Sequence, residues 1–573
     1  MARKPITDLF SFVCFATLWL FIALVSAYDT ARCVQDAHVL MDVELNPLAR
    51  FILRRGGASL LVGFKFLGTS LVLGIFCWMW ERGWKHVHIV ASVIALAQLG
   101  VLITYWASNV IYTFGSDVQK KEFCQNMFSG KWAGTMCLTE PHAGSAVGDV
   151  ITIATKQEEG HYLIKGTKQF ITNGDHDMAD NIVHLLLART PNSQQGSKGI
   201  SLFIVPKKRP DGSKNDITLV SIEHKMGING SPTCVLSFGD NDDCHGYLLE
   251  AENMGMEQMF KLMNEARLLV GLQGLAGASA AVQNAWAYAN ERTQGPSSIH
   301  PEKKASIIEF PDVRRMLMHM KAVTEGLRAL MYTSAWYIDM ANHGPEAHSE
   351  KYQDLLDLHI PICKAFGTDQ GFDVARTGIQ VLGGVGFTKH FPLEQNIRDQ
   401  KIGSIYEGTN GIQALDLVGR KFTSKKGQLI KVLEKELCWF DNRSLEGELK
   451  GWVAEWNNYR TLMFESIDCM IKIGETKGKD GYVLYAANML DLMGDVLCCF
   501  YLLKQAENAQ NKWRGMINLT VSQEELLADN QEAQFYWNKL RTVEYYVWSI
   551  LPRALSNAKT IKNANLSPLN ACL

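Results

Sequence analysis

The sequence predicts an α+β protein in which apolar membrane-spanning runs, a β domain and two blocks of helices succeed one another. Three observations predict it. Residues 1–111 hold three apolar runs with at most one charge in each. Between 149 and 250, short β-branched runs alternate with Gly, Pro, Asn and Asp clusters. From Met254 onward, apolar residues recur at helical spacing over long stretches.

The N-terminal runs are Leu9–Ala27, Ala58–Trp80, whose one charge is Lys65, and Val90–Ile111. Each reaches the length of about 20 residues needed to cross a bilayer, and none offers the polar face of a soluble helix. The first run, after Arg3 and Lys4 and ending Val25-Ser26-Ala27, also reads as a cleavable signal peptide. Six cations (Arg32, Arg50, Arg54, Arg55, Lys120, Lys121) lie on one side of the spans, against four (Arg3, Lys4, Arg82, Lys85) on the other. That bias favours a cytoplasmic first loop and a body of the chain facing the cytoplasm, anchored at the inner, cytoplasmic membrane.

Soluble sequence begins near Thr113. Asp149–Thr172 reads as a hairpin turning at Glu158-Glu159-Gly160, and NIVHLLLAR, GISLFIVP, DITLVSIE and TCVLSF read as further strands. Helical patterns follow over Met254–Arg292, Asp312–Asn342, Tyr352–Leu382 and Asn410–Phe422; after the polar break at Lys425-Lys426, another helical stretch covers Gln428–Ile561. The expected divisions are 1–111 (membrane), 112–250 (a short helix and the β domain), 251–424 (helical bundle) and 425–573 (helical extension).

Charge narrows the function. The 573 residues carry a formal net charge of -2, which gives no basic surface for nucleic acid. The 13 cysteines form neither CxxC pairs nor Cys/His clusters at zinc spacing, so reduced thiols and no metal are expected.

The chemistry concentrates in Ser404-Ile405-Tyr406-Glu407-Gly408-Thr409-Asn410-Gly411-Ile412-Gln413. A carboxylate followed by a Gly/Thr/Asn turn and a helix stands beside unpaired backbone donors that suit an anion or an enolate oxygen. Two more motifs precede it: Cys137-Leu138-Thr139-Glu140-Pro141-His142-Ala143-Gly144-Ser145 and Phe170-Ile171-Thr172-Asn173-Gly174, with Gln380-Val381-Leu382-Gly383-Gly384 between the latter and the Glu407 segment. In wording, order and spacing this set resembles the acyl-CoA dehydrogenase family over residues 113–573. The segments 174–177, 181–184, 222–228, 263–277 and 413–421 resemble its methylmercaptopropionyl-CoA dehydrogenase-like branch.

The resemblance implies a middle β domain, a C-terminal helical bundle and an extra C-terminal helical domain. It implies FAD as cofactor, an acyl-CoA substrate, an electron-transferring flavoprotein as partner, and a homodimer or larger assembly. It makes Glu407 the base that takes the α-proton. It places Met136, Leu138, Thr139, Ser145, Phe170, Thr172, Arg292, Gln294, Gln380, Gly383, Gly384, Thr409 and Asn410 at the flavin. Ser145, Asn264, Arg267 and Gly408 fall at the acyl-CoA. The implied reaction is α,β-dehydrogenation of a short or medium acyl-CoA, 3-(methylthio)propanoyl-CoA among the candidates, to the trans-2-enoyl-CoA. Two departures stand out: Ala146 replaces the family's usual Asp, and the three apolar runs stand where the family has an N-terminal helical domain. They leave open a second expectation, an inactive membrane-anchored relative serving as a binding or assembly module, or a fusion artefact.

Overall fold

The computed structural model describes residues 103–297, 302–517 and 522–572. The runs Leu9–Ala27 and Ala58–Trp80 lie outside the described residues, as does Val90–Ile111 up to residue 102. The described end of that third run belongs to a helix, α1, over 103–114. The expected lipid-facing helix is corrected there: Ala107, Ser108, Val110 and Ile111 are at most 1% exposed. They face protein, because Gly134 brings its backbone so close that a Cβ would meet Ala107 Cβ at 2.9 Å and Thr104 Cα at 3.1 Å. The polar residues of this face are used as well, with Thr104 Oγ1 accepting from Gly134 N at 2.9 Å.

Two compact units divide the chain between Glu265 and Ala266. In the first, eight strands form a sheet: β1 (Trp132–Cys137), β2 (Ile153–Lys156), β3 (Tyr162–Thr172), β4 (Asn181–Arg189), β5 (Ile200–Pro206), β6 (Ile217–Ile222), β7 (Thr233–Phe238) and β8 (His245–Leu248). Their order is β1-β4-β5-β8-β3-β7-β6, with β2 paired to β3 and β4. β4 and β5 are apolar along nearly their whole length because both faces are covered. The expected hairpin is present, with Ile153 opposite Lys165. β1 and the short β8 escape a reading by sequence pattern: β1 has no period-2 alternation, since Gly134 and Thr135 are both buried.

The sheet carries one irregularity that bears on function. β3 pairs with β7 through Lys168↔Leu236 and Ile171↔Cys234, so Gln169 and Phe170 together oppose Val235. This is a bulge, and Phe170 takes the left-handed conformation within it, at φ 61°. Bulges re-aim side chains, and Phe170, near the end of β3 and next to the buried Ile171, is accordingly 57% exposed.

The second unit is helical: α2 (Gly255–Glu291, whose first residues belong to the first unit), α3 (Pro311–His343), α4 (Glu346–Leu382), α5 (Asn410–Asp416), α6 (Gly447–Val483), α7 (Ala486–Met516), α8 (Gln531–Tyr545) and α9 (Arg553–Asn563). The helices after Lys425 share one apolar core with α3 and α4. Gly494 of α7 lies so near α4 that a Cβ there would meet the Phe366 ring at 2.5 Å. Among the described residues, α7 is the one helix long and apolar enough to cross a membrane, and 83% of its apolar window is buried inside the protein. Its apolar circumference is explained by neighbouring helices on all sides.

Candidate active site

In the first unit, the motif 137–145 is held by a buried ion pair. β1 ends at Cys137, and the chain then turns through a bridge in which Glu140 and Ala143 exchange backbone hydrogen bonds at 3.0 and 3.1 Å. Lys168, fully buried on β3, donates to Glu140 Oε1 at 2.8 Å and to the Leu138 carbonyl at 3.1 Å. Glu140 also accepts from the backbone of Ile151 and Thr152 at 2.8 and 3.1 Å. Burial raises the Glu140 carboxyl, but Lys168 and these donors outweigh it and hold the group below its usual value. Gln169 N donates to the Thr139 carbonyl at 2.9 Å. Leu138 and Thr139 are thereby fixed beside the bulge that carries Phe170, with Thr172 two residues on, opposite Thr233. Met136 is half-buried in β1, and Ser145 is exposed on the following loop. Sequence reasoning assigns Glu140 no role and does not single out Lys168. A lone Lys and Glu 28 residues apart carry no pairing signal until the sheet brings β3 beside the loop after β1.

In the second unit, Glu407 occupies a left-handed position, φ 56°, followed by Gly408 at φ 82°. Two such residues in succession are costly for a non-glycine and recur at functional sites. The turn survives because its carbonyls are held. Lys364 Nζ donates to Gly408 O at 2.7 Å, and Gln413 Nε2 donates to Glu407 O and Gly408 O at 3.3 Å each. Arg267 Nε reaches Glu407 O at 3.5 Å. Thr409 caps α5 by accepting from Ile412 N, and Asn410 accepts from Lys364 at 2.9 Å while donating to Thr368 Oγ1 at 3.1 Å. Tyr406 is tied through its hydroxyl to Gln273.

Among the described residues no donor bonds the Glu407 carboxylate itself. Burial pushes that carboxyl above the ordinary range, while Arg267 and Lys364 pull it down. Burial lowers the Lys364 ammonium to about 8 against the attraction of Glu407 and Asp369. A half-buried carboxylate with raised proton affinity and free oxygens is the arrangement a general base requires.

All but one of the remaining expected residues lie in the second unit. Arg292 follows the end of α2 and Gln294 sits in a two-stranded hairpin, both exposed. Gln380, Gly383 and Gly384 are exposed at the end of α4. A Cβ on either glycine would meet nothing within 4 Å, and Gly383 has φ 63°, so the backbone there stays open to approach. Asn264 is half-buried on α2, in the part belonging to the first unit. Within the first unit, an exposed aromatic aimed by a bulge beside a braced strand end suits a flat ring, and within the second an open glycine turn suits a phosphate chain.

The middle-domain description of the acyl-CoA dehydrogenases matches residues 135–241, and their C-terminal domain matches 253–422. A C-terminal-like domain described for acetyl-CoA dehydrogenase matches 441–571. A butyryl-CoA dehydrogenase of Syntrophomonas wolfei is 37% identical over 482 residues, covering 82% of this chain and 77% of the relative. A 3-methylmercaptopropionyl-CoA dehydrogenase of Ruegeria pomeroyi is 36% identical over 504 residues, covering 86% and 82%. Among solved structures, an acyl-CoA dehydrogenase of Bacillus anthracis complexed with FAD aligns with a TM-score of 0.60 at 21% identity, covering 94% of this chain and 91% of the other.

Proposed function

Because the chain belongs to the acyl-CoA dehydrogenase family, whose members are FAD-dependent oxidoreductases acting on CH–CH bonds, we propose that it converts a short or medium acyl-CoA to the trans-2-enoyl-CoA with Glu407 as base. The observation that carries this is the Glu407 turn: buried donors clamp its backbone while the carboxylate oxygens stay free. FAD, when bound, would supply the acceptor for the hydride of the β-carbon. Leu138, Thr139, Phe170 and Thr172 would hold its ring, and Gly383 and Gly384, with Gln380, Arg292 and Gln294, would serve its phosphate and adenosine parts.

The protein's own residues do the rest. Glu407 takes the α-proton onto a carboxylate oxygen. Its raised proton affinity brings it nearer that of a weak carbon acid than an exposed Glu would be. The backbone N–H of Glu407 donates to the thioester oxygen as negative charge develops there. Arg267 and Asn264 lie toward the CoA end. An electron-transferring flavoprotein would be the partner that takes up the electrons. Relatives named for butyryl-CoA and for 3-methylmercaptopropionyl-CoA support both a short straight chain and a thioether as substrates.

The test is optical. Purified protein should be yellow and bleach on addition of butyryl-CoA, and Glu407→Gln should keep the colour and lose the bleaching. Colourless protein that retains no added FAD would overturn the reading and support the inactive anchored relative instead.

We also propose attachment to the cytoplasmic membrane through Leu9–Ala27 and Ala58–Trp80, supported by their length and near absence of charge. The protein should stay with alkali-washed membranes, and light scattering of a detergent extract should give a homodimer or larger. Release by the wash would end the membrane proposal, and a monomer the oligomeric one.

A further inference from the structure

Lys364 lies in the middle of α4, a helix of 37 residues, and is 0% exposed. A buried ammonium is expensive, and an apolar residue of the same length would pack in a helical core without that cost. Its neighbours on α4, Cys363, Ala365 and Phe366, are buried apolar residues. Among the described residues Lys364 forms no ion pair. Its hydrogen bonds go to the Gly408 carbonyl and to Asn410 Oδ1, the two positions that flank Thr409 in the catalytic turn.

The other charges around Glu407 are committed elsewhere. Arg267, from α2, bonds the Glu407 carbonyl and lies 3.8 Å from Asp416. Asp416 is in turn gripped by Arg420 at 2.5 and 3.0 Å. Tyr406 is occupied by Gln273, and Asp369, the remaining carboxylate acting on Lys364, is exposed on α4. Arg267 exerts the larger pull on the Glu407 carboxyl but shares its charge with Asp416, whereas Lys364 adds a second pull while its own hydrogen bonds go only to neutral acceptors of the turn.

Resting on the dehydrogenase reading above, we propose that Lys364 is the positioning residue of the base. Its ammonium fixes the left-handed Glu407–Gly408 turn through the Gly408 carbonyl and keeps the Glu407 carboxylate ionised without bonding it. The free oxygens remain available for the substrate proton, and the cation acts from behind the backbone.

Glu407 works as a base only when ionised, so the bleaching rate falls as pH drops through its proton affinity. Removing a nearby positive charge raises that affinity, and the acid limb of the rate moves to higher pH. The experiment measures flavin bleaching by butyryl-CoA in a single turnover across pH, on the full-length holoprotein, for the wild type, Lys364→Met, Lys364→Gln and Lys364→Arg. Flavin content and thermal unfolding are recorded for each. Both neutral variants should show the limb displaced upward by about one pH unit or more, which is about a tenfold slower reaction at the acid end. Lys364→Arg should leave the limb where the wild type has it. Lys364→Gln retains a donor for the Gly408 carbonyl, so it reports on charge even where Lys364→Met does not fold. A limb unmoved in a folded neutral variant, in a wild type that does bleach, overturns this proposal alone. A wild type that never bleaches overturns the dehydrogenase reading and this proposal with it.

Discussion

Asp495 and Glu407 are both carboxylates set beside cations within the helical unit, and the fold uses them in opposite ways. Asp495 is 1% exposed and gives its oxygens to Arg553, whose Nε reaches both at 2.8 Å and whose Nη2 reaches one at 2.5 Å. Arg553 also donates to Gln370 Oε1 at 2.7 Å, which ties α9 and α7 of the C-terminal extension to α4. At Glu407 the cations are close, yet they bond the carbonyls of the turn and leave the carboxylate unbonded. A carboxylate with its acceptor sites filled by a guanidinium is fixed and inert. One kept ionised from a distance can still take a proton. The difference lies in which atoms the donors reach, and the residue types alone do not reveal it.

Four changes test this contrast. Glu407→Gln should slow flavin bleaching by about 10²–10⁴-fold, the usual worth of a positioned base, while thermal unfolding stays close to the wild type. An equal loss of stability would make Glu407 another structural carboxylate. Arg553→Met should do the reverse. Leaving Asp495 buried without its partner should cost about 3–5 kcal/mol in denaturant unfolding, with the bleaching rate per folded molecule unchanged. Slower chemistry at full stability would erase the distinction from the other side.

Gly408→Ala probes the turn. The new Cβ would sit 2.7 Å from Gln413 Nε2 at a φ of 82°, so a loss of about 1–3 kcal/mol is expected together with slower bleaching. Unaltered kinetics would mean that the conformation of the turn is incidental to the base. The smallest effect is that of pH on the wild type. Because burial raises the Glu407 carboxyl, bleaching should decline on acidification at a pH above that of an ordinary exposed glutamate. A decline only within the ordinary carboxylate range would show the burial to be relieved when substrate binds.

Much of the fold and of the site is legible in the chain, for identifiable reasons. Strands β4 and β7 have the bounds that their apolar runs indicate, since turn residues delimit them on both sides. Helices α2 and α3 likewise differ from their expected limits by one residue at each end. Motif wording singles out Leu138, Thr139, Phe170, Glu407 and Asn410 as candidates, and Phe170 and Glu407 among them take left-handed backbone conformations. The end of the third apolar run misleads because an uncharged helix looks the same whether lipid or protein surrounds it. At 103–111 the surroundings are β1 and its neighbours.

Element types and the order of the units are written locally, because each depends on residues near one another in the chain. Other features arise only on folding. Phe170 is turned outward by a two-for-one mismatch with Val235, and Lys168 on β3 and Glu140 on the loop after β1 brace the strand end together. Lys364 stands behind the Glu407 turn from 43 residues away. Those contacts join segments that chain order keeps apart, so no local pattern encodes them. Whether a buried charge serves as strut or as base depends on them.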